Sequence, residues 1–93
     1  MTDPSDTPEE SIERSELEQA IVNCLQGLPD DFRIVVILVD VQGFDYYEAA
    51  QSVGKPVGTI KSRLARARSR MRICLQSFWE LLPLEYRLKF ETK

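Results

Sequence analysis

Seven basic side chains fall between Gly54 and Arg72, and no acidic one does: Lys55, Lys61, Arg63, Arg66, Arg68, Arg70 and Arg72. Guanidinium and ammonium groups gathered on one helix sum to a local positive field, and the chemistry open to them is the binding of phosphate. The rest of the chain holds five bases and all fifteen acids. The net charge of −3 therefore hides a dipolar layout. Residues 1–54 carry twelve acids and two bases, while residues 73–93 carry three of each sign. A polyanion feels the nearest face, within a Debye length of about 8–10 Å. The basic segment, not the acidic total, decides the class of partner.

Other chemistries lack their residues. The chain has no histidine and two cysteines, which excludes a zinc site. No nucleophile–base pair is visible, and Gly54-Lys55 lacks the upstream glycine of a phosphate-binding loop. The expectation is no enzyme, no cofactor and no metal. Cys24 and Cys74 stand at apolar positions without CxxC spacing, so both read as reduced packing residues, with a disulfide or redox role as the alternative. The acidic N-terminus is no secretory signal, and the longest apolar run, Ile34–Val39, is too short to span a bilayer. A soluble, cytoplasmic protein without membrane contact is expected.

Ninety-three residues suit one small domain. Residues 1–11 read as an acidic flexible linker, although Thr7, Pro8 and Glu10 have the order of a helix cap. The first helix, about 12–26, has the stripe Leu17, Ala20, Ile21, Cys24 and Leu25, and Gly27 stops it. Pro29, Asp30 and Asp31 open a second, about 30–42. Its run Ile34–Val39 is mostly β-branched and has strand propensity, yet Phe32, Val35, Val36 and Val39 also form a helical stripe. A lone strand there has no partner, which favours helix. Gly43 ends it. Asp45 and Glu48 have capping-box spacing for a third helix, about 46–53, with Phe44 and Ala49 as a hydrophobic staple. Gly54 stops that helix and Pro56 starts a fourth, about 56–82, because no breaker follows before Pro83. Ile60, Leu64, Ala67, Met71, Cys74, Phe78 and Leu81 form a heptad-like seam along it. Beyond Pro83 the apolar residues alternate, so residues 83–93 read as a strand or an extended amphipathic tail.

The expected fold is therefore all-α: a small bundle of four main helices containing a helix-turn-helix over residues 12–82, with a C-terminal extension. In the turn, Ala50 is small enough for close helix approach, Val53 fills the angle, and Gly54 supplies a conformation other residues adopt poorly. Pro56 restarts the chain, while Ile60 and Leu64 anchor the second helix.

The stretch LPDDFR…GFDYYEAAQSVGKPVGTIKSRLARAR resembles the C-terminal, promoter-recognising domain (region 4) of extracytoplasmic-function sigma factors. Leu28, Pro29 and Arg33 match its first motif, and Gly43, Tyr46, Glu48 and Ala50 its second. Pro56, Gly58, Thr59, Ser62, Arg63, Leu64, Arg66, Ala67 and Arg68 match its third. The resemblance covers about residues 17–75. Asp45 departs from the family's usual serine but caps equally well. The resemblance implies that the disputed run is helix. It also implies that the domain reads the −35 promoter element in the major groove while touching the flap of core RNA polymerase. Family members carry a preceding domain that melts DNA, so a fragment, or a stand-alone homologue unable to open DNA, is expected.

The N-terminal turns of a second helix-turn-helix helix face base edges. Lys61, Ser62, Ala65 and Arg66 share one such face. Arg66 suits a bidentate contact with guanine, Ser62 serves several bases, and Ala65 can sit against a thymine methyl. Tyr46, Thr59, Arg63 and Arg68 are placed as phosphate anchors. The alternative for Arg63 or Arg68 is an internal salt bridge, and for Tyr46 it is core packing. Phe78, Trp79, Leu82, Tyr86, Leu88 and Phe90 form a candidate protein interface for polymerase, an anti-sigma factor or a homodimer. Their alternative is to wrap back onto the core. The rival function is a helical protein-interaction module without productive DNA binding.

Overall fold

The computed structural model describes residues 8–91, with side chains from Arg14 onward. Its elements are α1 (Pro8–Gln26), α2 (Asp30–Val36) continuing into a π-helical turn (Ile37–Val41), α3 (Tyr46–Val53), α4 (Val57–Cys74), a 3-10 segment (Gln76–Leu81) and α5 (Leu84–Glu91). No strand occurs among the described residues, so the all-α class stands. The Thr7–Glu10 cap and the linker ahead of Pro8 lie outside the described residues. Residues 8–11, expected as linker, are already helix. Proline at a first helical position, followed by acids, suits that start.

The β-branched run folds as helix because its burial outweighs propensity. Val35 and Val36 are 0% and 1% exposed and pack on α4. Fully burying one such side chain contributes about 1.5–3 kcal/mol, against helix-propensity losses of roughly half a kcal/mol each. The helix then widens. The Gln42 N–H donates to the Ile37 carbonyl at 2.8 Å, five residues back. Asp40, four residues beyond Val36 and on the same face, is only 4% exposed.

α3 begins as its residues dictate. The Glu48 N–H donates to the Asp45 carboxylate at 2.8 Å, and the Asp45 N–H donates to Glu48 Oε1 at 2.9 Å. It ends at Gly54, whose φ of 74° is left-handed and whose N–H donates to the Ala50 carbonyl at 2.8 Å. Pro56 sits just before α4 in an extended conformation, leaving Val57 as the first helical residue. Along α4, Ile60, Leu64, Ala67 and Met71 are each 0–1% exposed.

Three expectations fail beyond Met71. α4 stops at Cys74 instead of running to residue 82, although no glycine or proline marks the place. The tighter 3-10 winding brings Leu75 (0% exposed) and Leu82 (2%) into the core and turns Leu81 (47%) outward. The tail is not extended either. In α5 the alternating apolar residues fall on two opposite faces, because two residues of helix turn about 200°. Tyr86 and Phe90 stack inward with ring centroids 6.1 Å apart, while Leu84 and Leu88 are 61% and 56% exposed. Finally, Cys24 and Cys74 are not reduced packing residues. They form a disulfide, with α1 and α4 meeting at a Cα–Cα distance of 5.9 Å.

Candidate nucleic-acid interface

The turn between α3 and α4 displays one face of α4 and buries the other. Ile60, Leu64 and Ala67 point into the core, which turns Lys61, Ser62, Ala65 and Arg66 outward, and all four are exposed. Arg66 makes no hydrogen bond or ion pair among the described residues, so its donor fork is unoccupied. Lys61 Nζ lies 5.7 Å from the centre of the Tyr46 ring, a contact that orients the ammonium without neutralising it. Lys55, Arg70 and Arg72 add exposed charge along the same helix and turn. Arg70 stands over the Phe32 ring at 5.3 Å.

The residues proposed for phosphate are less uniform. Tyr46 is half-buried beneath Lys61 and packs against the core, so its body serves the fold. Thr59 is half-buried in the first turn of α4. Arg63 Nε lies 3.7 Å from Asp31 Oδ2, with 51% of the Asp31 side chain exposed. That is too long for a hydrogen bond, and an exposed pair of this kind contributes about 0–1 kcal/mol.

Arg68 does not belong with them. Its Nε and one terminal nitrogen donate to the two oxygens of Asp40 at 3.0 and 2.6 Å. The two side chains are 12% and 1% exposed. The hydrogen bond to Asp40 raises the guanidinium pKa, against the desolvation that lowers it; nearby Tyr46 adds a smaller upward push. A guanidinium that is 12% exposed and closed on a buried carboxylate is turned inward, away from a phosphate outside. Arg68 instead ties α4 to the turn that follows α2. Its acid partner is the residue that sequence reasoning missed. The signal was present: the stripe through Phe32 and Val36 reaches position 40 at its next step, and an acid there must be paired.

The helix-turn-helix set divides as its chemistry requires. Ala50, Ile60 and Leu64 are buried, Val53 is half-buried, and Gly54 and Pro56 make the bend. The candidate protein interface is mostly interior. Leu82 and Phe90 are 2% and 5% exposed, Phe78, Trp79 and Tyr86 are half-buried, and only Leu88 is exposed. Trp79, Leu82, Tyr86 and Phe90 wrap back onto the core because so small a domain has little other apolar surface with which to cover it.

Comparison with known proteins points the same way. The family model described as Sigma-70, region 4 matches residues 18–71. The ECF RNA polymerase sigma-E factor of Haemophilus influenzae is 38% identical over 63 residues, covering 68% of this chain and 33% of that protein. The RNA polymerase sigma-H factor of Pseudomonas aeruginosa is 35% identical over 71 residues, covering 76% of this chain and 37% of that one. The ECF RNA polymerase sigma-E factor of Escherichia coli K12 is 38% identical over 61 residues. The chain spans about a third of the length of the curated relatives it matches.

Proposed function

The chain belongs to the sigma-70 region 4 family, and we propose that it recognises the −35 element of a promoter for an RNA polymerase sigma factor of the extracytoplasmic-function class. The family is one of transcription proteins, not a known enzyme family. The observation that carries the reading is the exposed face Lys61, Ser62, Ala65 and Arg66 on the early turns of α4, set outward by a buried apolar back. In this reading those four meet base edges, and Tyr46, Thr59 and Arg63 meet phosphates. Core RNA polymerase, through its flap, is the partner that brings the domain to DNA in the cytoplasm. No helix among the described residues is long and apolar enough to cross a membrane. An anti-sigma factor or a second copy would have to use what the C-terminal segment leaves outside, chiefly Leu84 and Leu88.

One helix in one groove buries about 600–1,000 Å², so the isolated domain binds weakly and tethering to polymerase supplies the effective concentration. Three cations on the duplex, Lys61, Arg63 and Arg66, give a log–log salt slope of about −2.7, a loss of roughly 40-fold between 50 and 200 mM salt. Anisotropy titrations with a labelled duplex read this directly. A salt-independent signal would exclude the proposed mode.

A further inference from the structure

We propose that the Cys24–Cys74 disulfide is an exchangeable redox lock, opened by a dithiol reductant at Cys74, and that opening it frees α1 while leaving the helix-turn-helix in place. Cys24 is the one buried side chain that α1 has among those described. Leu17, Ala20, Ile21 and Leu25 are only half-buried, and Val22 is 44% exposed. The bridge is thus the principal anchor of α1. Its other end, Cys74, is an exposed residue at the foot of α4, and the proposal places the attack there. The helix-turn-helix has its own fixings: the buried seam from Ile60 to Met71, and the Arg68–Asp40 pair. The lock therefore acts on one side of the domain and not on the other.

The exchange balances within the protein and its reductant. A thiolate of the dithiol attacks the Cys74 sulfur, the Cys24–Cys74 bond breaks, and Cys24 leaves with the electron pair and takes up a proton. The second thiol of the reductant then attacks the mixed disulfide and releases Cys74, which is protonated in turn. Two electrons pass to the protein, and the reductant becomes a cyclic disulfide. The compartment gives the step its purpose, and for that alone the proposal rests on the transcriptional reading: disulfides in reducing compartments are usually transient or sensing. The output is a groove. Ile21, Val22 and Leu25 of α1 form one wall of an apolar cleft of about 410 Å³, with Val36, Met71 and Phe90 opposite. A freed α1 removes that wall.

The test equilibrates the full chain with graded ratios of reduced and oxidised dithiothreitol. Free thiols are trapped with a maleimide and located by mass, and amide hydrogen exchange is followed on the same samples. Both cysteines should become reactive together in one two-electron transition. Exchange across residues 14–26 should then accelerate by at least about tenfold, while that of residues 60–67 stays within about twofold. Cys74→Ser, which alters an exposed position, should reproduce the reduced pattern without reductant. A bridge that resists dithiol until the whole chain unfolds overturns the proposal, and so does a reduced chain whose α1 is as protected as before. Duplex binding run in parallel should be the same within about twofold in both states, and its loss on reduction overturns the claim that the turn is left in place. Absence of binding in both states would sink the promoter reading, while the exchange data still decide the lock.

Discussion

In the early turns of α4, Lys61 and Arg66 project from a buried apolar back and stay exposed. Two residues after Arg66, Arg68 is 12% exposed and closed on Asp40. Farther along, Cys74 is bridged to α1. At the front the charged side chains stay in solvent, whereas at the rear Arg68 and Cys74 hold the domain together while Arg70 and Arg72 beside them remain exposed. Side-chain type does not separate the two halves, since arginine serves in both. What separates them is the element lying opposite. Among the described residues nothing covers the exposed face of the front, whereas the turn after α2 and the end of α1 cover the rear.

The largest expected effect tests the rear. Asp40→Ala leaves the Arg68 guanidinium buried and uncompensated, which costs about 3–5 kcal/mol. Urea unfolding should show this as a much lower midpoint. The double variant Asp40→Leu with Arg68→Met should recover most of the loss, because apolar replacement of a whole buried pair is often neutral. A stable Asp40→Ala protein would erase the distinction between the two halves.

Opening the disulfide comes next. A bridge spanning 50 residues stabilises by about 2–4 kcal/mol, chiefly by constraining the unfolded chain. Reduction should lower Tm by on the order of 10 °C or more. The Cys24→Ser variant should give the same Tm with or without reductant.

What could be read ahead of the structure was local. Asp45 with Glu48, the glycine bend at Gly54 and the seam from Ile60 to Met71 rest on spacings of a few residues, and the backbone follows them. The helical fate of Ile34–Val39 is already a tertiary outcome, since its own propensity favours a strand. The Arg68–Asp40 pair joins positions 28 apart and the disulfide joins positions 50 apart, so the local stripe that buries Asp40 does not name its partner and no local pattern states the bridge. The end of α4 was hidden for the same reason. Burial of Leu75 and Leu82 stops it, and no breaker residue is involved. In α5 the four alternating apolar residues satisfy a strand pattern and two helical i,i+4 pairs equally well. Only the packing of Phe90 decides between them.

The front is tested by Arg66→Ala. Loss of a bidentate contact with guanine should cost roughly 1–3 kcal/mol of binding and relax preference at one base position, with little change in unfolding midpoint. Binding-site selection on the variant reads the relaxation. An unchanged preference would take Arg66 out of the base-reading set.

Arg63 stands between the two halves and gives the smallest effect. Its 3.7 Å approach to Asp31 resembles the rear, but its partner is half exposed, unlike Asp40. If solvent decides, Arg63→Ala changes stability by no more than about 0.5 kcal/mol, since exposed pairs contribute little. The same substitution should make the salt slope of DNA binding shallower by about 0.9 and weaken all sequences alike, which is how removal of a phosphate contact appears. A stability loss as large as that of Asp40→Ala, with the salt slope unchanged, would move Arg63 to the rear. The front would then consist of Lys61, Ser62, Ala65 and Arg66 without a cationic phosphate anchor beside them.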